Sequence, residues 1–372
     1  SCSLVGSEMC IRDRLPTVYT VDLRQELQEG NRSIFSRKLQ ELMTDRLNKG
    51  QQTILFLNRR GYAGFVSCRS CGEVMKCPHC DVSLSEHKGG RLICHYCGYT
   101  QPMPKLCPKC GSKYILGFKA GTQQIEEKLK ELYPGVRTLR MDADTTRTKD
   151  SYEKILSSFA NGEADVLIGT QMIVKGHDFP KVTLVGILAA DLSLNASDYR
   201  AGERTFQLLT QAVGRAGRGV LPGEAVIQTY QPDHYAITCA AAQDYESFYQ
   251  EEILYRELSG YPPVAHMLAV QIYGKEEENV KQLALRLTDV VKSNMDFLSG
   301  KQKEQSNKKI QVLGPAPANI SKINDIYRYV FYVKHAEYDV LVEVKDRLEE
   351  TLRQWQPRQM SIQFDFDPVS VL

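Results

Sequence analysis

Eight of the chain's eleven cysteines fall between Cys68 and Cys110, as four Cys-x-x-Cys pairs: Cys68/Cys71, Cys77/Cys80, Cys94/Cys97 and Cys107/Cys110. Two residues between thiols let one tight turn offer both sulfurs to a single ion, and two such turns close a tetrahedral four-thiolate shell. Eight thiols therefore predict two structural zinc ions. A closed four-sulfur shell leaves no open position for catalysis, and four clustered pairs exceed what a dithiol redox enzyme needs. Pairing the inner knuckles gives a loop of ordinary ribbon length, with the outer knuckles closing around it. A cross-braced pairing of alternate knuckles fits the spacing as well. His79, His87 and His95 are expected to be neighbours of the metal sites or surface residues, because the thiols already suffice. From Cys68 to Lys119, eight Lys/Arg stand against three acids. That excess does little more than offset the negative charge of two zinc–thiolate sites, so a basic nucleic-acid surface does not follow from it.

A second chemistry lies in two loops suited to phosphate. Ala164–Asp178 (ADVLIGTQMIVKGHD) reads as a buried strand running into a loop with Thr170, Gln171, Lys175, Gly176 and Asp178. Thr170 and Lys175 can donate to phosphate oxygens, and Gly176 lets a backbone approach closely. Gln211–Gly219 (QAVGRAGRG) places Arg215 and Arg218 three residues apart, which predicts one shared helical face. Gly214, Ala216 and Gly217 remove bulk around them, so that face is expected to press against a partner. Two guanidiniums among small residues suit recognition of a triphosphate. No Gly-x-x-x-x-Gly-Lys-[Ser/Thr] run occurs in the sequence, so this chain by itself is expected to lack an ATP phosphate cradle.

The elements that must position these residues follow from periodicity. Phe35, Leu39, Leu42, Met43 and Leu47 mark a helix capped by Ser33 or Ser36 and closed by Gly50. Thr53–Leu57 is a buried strand. Ile125, Leu129 and Leu132 mark a helix stopped at Pro134-Gly135, Val136–Met141 a strand, and Tyr152 to Phe159 a helix ended by Asn161-Gly162. Ala164–Ile168 and Val182–Leu188 are strands, Glu203–Val213 a helix and Ala225–Tyr230 a strand. Such alternation predicts a parallel sheet covered on both faces, with ligands beyond the carboxyl ends of the strands. From about Ser259 the order becomes β-α-β-β-α-β. Its strands are His266–Ile272, Ile310–Leu313, Arg328–Val333 and Met360–Phe366, and its helices Glu277–Ser293 and Tyr338–Gln354. This is a ferredoxin-like α+β pattern.

Composition sets the outer bounds. At 372 residues, 42% hydrophobic and 25% charged, the chain is long and apolar enough for two or three folded domains. Its net charge of +2 argues against a polybasic tail binder, and no apolar run nears the ~20 residues of a membrane span. The expected division is 1–14, a non-native leader; 15–67 and 113–258, one parallel-sheet lobe; 68–112, the inserted two-zinc module; and 259–372, the α+β domain. Within the leader, Leu4–Arg14 resembles a translated sequencing adapter, so Cys2 and Cys10 are set aside; Cys239 is expected to be buried.

With these pieces placed, the chain resembles the PriA (primosomal protein N′) family of superfamily 2 replication-restart DNA helicases. The resemblance runs from about Leu15 to Leu372. It rests on LFLNRRGYA (Leu55–Ala63), the eight cysteines in order, DADTTRTK (Asp142–Lys149) and IGTQMIVKGHDFPKVTLV (Ile168–Val185). It continues in DYRAGERTFQLLTQAVGRAGRG (Asp198–Gly219) and VLGPAPA (Val312–Ala318). It implies a RecA-like second helicase lobe with an inserted two-zinc Cys-rich module. It also implies nested zinc pairing, Cys68/Cys71/Cys107/Cys110 on one ion and Cys77/Cys80/Cys94/Cys97 on the other. Arg59, Thr170, Gln171 and Lys175 would touch DNA. Gly176, Asp178, Gln211, Arg215 and Arg218 would face ATP and its Mg2+, the two arginines stabilising charge on the transferred phosphoryl group.

For the intact protein the resemblance implies ATP-driven 3′-to-5′ unwinding in the cytoplasm, acting on forks, D-loops and single strands. The expected partners are primosome proteins and single-strand-binding protein, and the expected state is monomeric. The family's N-terminal DNA-binding domain and first lobe have no counterpart here, so the chain is expected to be inactive alone. The alternative class is a non-enzymatic zinc-ribbon module that binds DNA or scaffolds proteins.

Overall fold

Apolar runs too short for helices, separated by helical stripes, fold into alternating strands and helices in the computed structural model. It describes residues 15–57, 66–79, 82–87, 90–116, 121–142, 145–146, 149–170, 179–194, 198–219, 221–293 and 310–369. The chain begins with β1 (Thr17–Asp22), α1 (Leu23–Gln28), α2 (Arg37–Asn48), β2 (Gln52–Leu57) and β3 (Ser67–Cys68). The short strands β4 (Ser85–His87), β5 (Arg91–Ile93), β6 (Thr100–Pro102) and β7 (Ile115–Leu116) follow. Next come α3 (Thr122–Leu132), β8 (Thr138–Met141), α4 (Lys149–Ala160), β9 (Val166–Gly169), β10 (Val182–Leu188) and α5 (Asp191–Leu194). α6 (Ala201–Val213), β11 (Glu224–Thr229), α7 (Tyr235–Ala242) and α8 (Tyr245–Ser259) lead to β12 (His266–Gly274) and α9 (Glu277–Ser293). The chain closes with β13 (Gln311–Ile323), β14 (Ile326–His335), α10 (Tyr338–Trp355) and β15 (Met360–Phe366).

The first compact unit comprises Ser1–Val74, Pro104–Ala196 and Arg200–Phe248. Its centre is a six-stranded parallel sheet in the order β1-β11-β10-β2-β9-β8. Every residue of β2 and β10 is buried, as largely apolar strands between two helical layers require. Side chains alternate between those layers. Ile54 and Phe56 join Leu156, Phe206, Leu209, Ile237 and Cys239 on one face. Leu55 and Leu57 join Leu39, Met43, Ile125 and Leu129 on the other. Ser36 caps α2, its hydroxyl accepting from the Leu39 N–H at 3.3 Å, and Gly50 closes the helix with φ +61°. The sheet edge beside β11 is a strand that periodicity alone passes over. β1 is half-exposed along its length, so it carries neither a continuous apolar run nor a clean alternation.

The second unit comprises Met75–Met103, Ser197–Tyr199 and Tyr249–Leu372. Its larger sheet is antiparallel, in the order β13-β14-β12-β15. With α9 and α10 packed on one face through Val280, Leu287, Leu341 and Leu348, this gives the β-α-β-β-α-β arrangement expected of residues 259–372. Three strands run beyond their expected limits, β12 to Gly274, β13 to Ile323 and β14 from Ile326 to His335. β13 continues past Leu313 through Gly314-Pro315-Ala316-Pro317, where its register against β14 shifts. Proline lacks the N–H of a ladder but is tolerated on an edge strand at an irregularity, and β13 is an edge. The hairpin turns on Asn324 and Asp325, both with positive φ (48° and 61°), as a tight two-residue turn requires. No helix among the described residues is long and apolar enough to cross a membrane.

Candidate metal centres and nucleotide-facing turn

Within the first unit, Cys68 ends β3, which pairs with β7, and Cys71, Cys107 and Cys110 lie in the adjoining turns. Each knuckle closes on itself. The Gly72 N–H donates to the Cys68 carbonyl (2.8 Å) and the Gly111 N–H to the Cys107 carbonyl (2.9 Å). The four sulfur atoms lie within 4.8 Å of one another, with Cys68 to Cys110 and Cys71 to Cys107 each at 3.6 Å. A zinc ion holding four sulfurs at 2.3 Å sets them about 3.8 Å apart along the tetrahedron's edges. The donor set thus fits zinc in both chemistry and spacing. Burial opposes charge on Cys68, but N–H groups from Cys71 and Ser70 donate to its sulfur and hold the thiol down to about 7. Across the two knuckles Ser70 and Ser112 share a hydroxyl bond of 2.8 Å.

Cys77, Cys94 and Cys97 form the second cluster in the other unit, their sulfurs also within 4.8 Å of one another. Cys80 lies outside the described residues. This grouping is nested, and spacing alone had left the cross-braced alternative open. Among the described residues no histidine joins either thiol cluster. His95 donates from Nδ1 to the Pro317 carbonyl (3.0 Å), its Nε2 lies 3.0 Å from that of His87, and His79 packs edge-on against Tyr99.

Arg59, Gln171, Lys175, Gly176 and Asp178 lie outside the described residues. Thr170 is half-buried just beyond β9, its N–H donating to Met141 at 3.3 Å. Gln211 is exposed near the end of α6. That helix stops at Val213, so Arg215 and Arg218 do not share a helical face as their spacing predicts. They stand in the turns that follow, Arg215 half-buried and Arg218 exposed, with Arg218 Nε donating to the Gly214 carbonyl at 2.8 Å.

The small residues beside the arginines shape the turn itself. A Cβ added at Gly217 would lie 2.3 Å from the Gly223 nitrogen, and one at Gly223 would lie 2.4 Å from the Ala216 carbonyl carbon. Gly217 also has φ +74°, where side chains other than hydrogen are strained. Gly217→Ala is therefore expected to destabilise the first unit by about 3 kcal/mol, combining backbone strain with a backbone clash. Urea unfolding followed by far-ultraviolet dichroism measures this, and a midpoint equal to that of the parent contradicts it.

Sequence reading passed over two features. One is the glycine after the second cysteine in three knuckles, Gly72, Gly98 and Gly111, all with positive φ. The repeated Cys-x-x-Cys-Gly was a visible signal for these turns. The other is Asp191, buried beyond the carboxyl end of β10. It accepts from the Thr229 hydroxyl (2.8 Å) and from the Tyr230 N–H (2.9 Å), while burial pushes its carboxyl up.

Comparison with known proteins assigns family matches to three parts of the chain. Residues 77–102 match the PriA DNA helicase Cys-rich region (CRR) domain, 106–220 the helicase conserved C-terminal domain, and 257–369 the primosomal protein N C-terminal domain. The replication restart protein PriA of Bacillus subtilis (strain 168) is 44% identical over 360 residues, which is 96% of this chain and 43% of that protein. Its Synechocystis counterpart is 42% identical over 362 residues, 96% of this chain and 42% of that one. The chain thus spans less than half the length of either relative. Among solved structures, the C-terminal domain of the DEAD-box protein Dbp5 is 13% identical. It covers 66% of this chain and 98% of its own, with a TM-score of 0.32.

Proposed function

Because the chain belongs to the PriA family of replication restart proteins, we propose that it forms the second lobe, zinc centres and C-terminal domain of an ATP-driven DNA helicase. The observation that carries this reading is a helicase C-terminal domain match and a PriA Cys-rich match in one chain whose thiols gather as two metal-binding sets. In the proposed protein, 3′-to-5′ unwinding restarts replication at forks and D-loops. ATP with Mg2+ binds against Gly176, Asp178, Gln211, Arg215 and Arg218. Arg59, Thr170, Gln171 and Lys175 contact the DNA strand. Primosome proteins and single-strand-binding protein are the proposed partners, of a monomer working in the cytoplasm.

Two guanidiniums at the end of a strand–helix lobe suit a role completed by a phosphate cradle on another lobe, since phosphoryl transfer depends on positioning and charge stabilisation together. The chain alone is accordingly expected to hydrolyse ATP no faster than a buffer blank, with or without forked DNA. It is expected to bind forked DNA with a log–log salt slope of about −0.9 for each phosphate contacted. A coupled-enzyme assay and fluorescence anisotropy read these two outcomes. DNA-stimulated turnover by the chain would refute its inactivity alone, and absence of salt-dependent binding would remove the proposed DNA contacts.

A further inference from the structure

We propose that the two zinc centres are structural parts of two different units, with Arg69 and Tyr96, the residues held between paired cysteines, as the positioning residues of each. This rests on the zinc reading of the thiol clusters, and it departs from a single inserted module over 68–112.

In the first unit, Arg69 lies between Cys68 and Cys71. Its Nη1 donates to the Tyr230 hydroxyl at 2.9 Å, and the guanidinium carbon stands 5.1 Å from that ring's centroid. Directly after Cys71, Gly72 lies so close that an added Cβ would be 2.5 Å from the Tyr230 carbonyl oxygen. Tyr230 follows β11, and its N–H is held by the buried Asp191. The outer knuckle is thereby clamped to the carboxyl end of β11.

In the second unit, Tyr96 lies between Cys94 and Cys97 and is fully buried. Its ring stacks on Tyr332 of β14 (centroids 5.0 Å apart, planes at 24°), and its hydroxyl accepts from the Tyr199 N–H at 3.3 Å. Tyr199 in turn stacks on Tyr261 at 4.7 Å, and the buried Arg256 guanidinium lies over the Tyr199 ring at 4.8 Å. Lys334 stands 4.0 Å from the Tyr261 centroid. His95 adds its bond to Pro317 on β13. A metal that fixes both cysteines fixes the direction in which the two intervening side chains point. A metal on Cys94 and Cys97 would thus add to the Gly98–Cys94 turn bond and the Tyr199 bond in holding Tyr96 in its stack.

The test compares Cys97→Ser, Cys110→Ser and Tyr96→Leu in the full chain, by hydrogen exchange and zinc content. Cys97→Ser is expected to accelerate exchange at least tenfold in Ile326–His335 and to leave Glu224–Thr229 unchanged. Cys110→Ser is expected to do the reverse. Tyr96→Leu, which keeps all eight thiols, is expected to retain two zinc ions per chain and still loosen Ile326–His335. Zinc content of the unsubstituted chain reads the metal assignment alone, whereas Tyr96→Leu reads the clasp alone. Should either cysteine variant loosen both strands alike, or should Tyr96→Leu leave β14 as protected as before, the division of labour is wrong. If Cys97→Ser does not fold, the Tyr96→Leu result decides.

Discussion

Replacing Arg215 with alanine is expected to slow DNA-stimulated ATP hydrolysis about a thousandfold, in a chimera carrying this chain in place of the matching segment of the Bacillus subtilis relative. The size follows from the role proposed for it. A guanidinium aimed at a transferring phosphoryl group acts where charge develops, and its removal lowers turnover far more than nucleotide binding. Placement supports that choice over a surface arginine. Arg215 is half-buried directly after the Gly214 cap of α6, in a segment pinned where the Gly217 N–H donates to Val182 at the start of β10. Arg215→Lys keeps the charge but loses the planar fork, so it is expected to recover only a small part of the rate. Steady-state turnover at saturating ATP and DNA measures both. A thermal midpoint matching the parent guards against misfolding, and an Arg215→Ala rate within threefold of the parent would remove the catalytic assignment.

Much of the lobe could be read before any coordinates, and the reason lies in particular strands. β2, β9 and β10 are buried on both faces, so their sequences are mostly apolar runs, with only Gln52, Thr53 and Thr183 polar, and leave little room for another reading. β1 escaped because an edge strand with one wet side has no such run. β13 was cut short because glycine and two prolines look like a loop, and only its edge position lets the strand pass through them. The metal ligands were legible as residue types at a spacing, but spacing could not choose between nested and cross-braced sets. Tertiary folding made that choice. Tyr96 and Tyr199 were invisible for the same reason: each is an ordinary aromatic whose partners lie far away in the sequence. The arginine pair failed differently. Their three-residue spacing suggests a shared helical face, but the helix ends at Val213, as its periodicity indicates, and Gly214 turns the chain.

Stripping both zinc ions with a strong chelator is expected to unfold the knuckles while leaving most of the parallel lobe intact. The strands that carry the cysteines cannot stand alone. β3 and β7 have two residues each, and β4, β5 and β6 three, well below what a hairpin needs for independent stability. Cross-knuckle contacts such as the Lys109–Glu73 pair at 3.2 Å are exposed, and pairs of that kind contribute roughly 0–1 kcal/mol. Structural zinc contributes on the order of 10 kcal/mol, so the metal term dominates locally. Among the described residues, Ile54 and Phe56 of β2 and Val185 and Ile187 of β10 share their core cluster with no thiolate ligand, so those strands are expected to stay protected. Protons compete with zinc for thiolates, so acidification lowers the chelator concentration needed and alkaline pH raises it. The expected record is loss of two zinc ions per chain, faster exchange in Arg91–Ile93, Thr100–Pro102, Glu224–Thr229 and Ile326–His335, helical dichroism largely kept, and recovery when zinc returns. A single cooperative collapse of the entire chain on chelation would mean that the lobe leans on the metal sites far more than its buried strands require. Unchanged exchange in the knuckles after zinc loss would mean that their backbone turns, led by the Cys-x-x-Cys-Gly bonds, suffice without an ion.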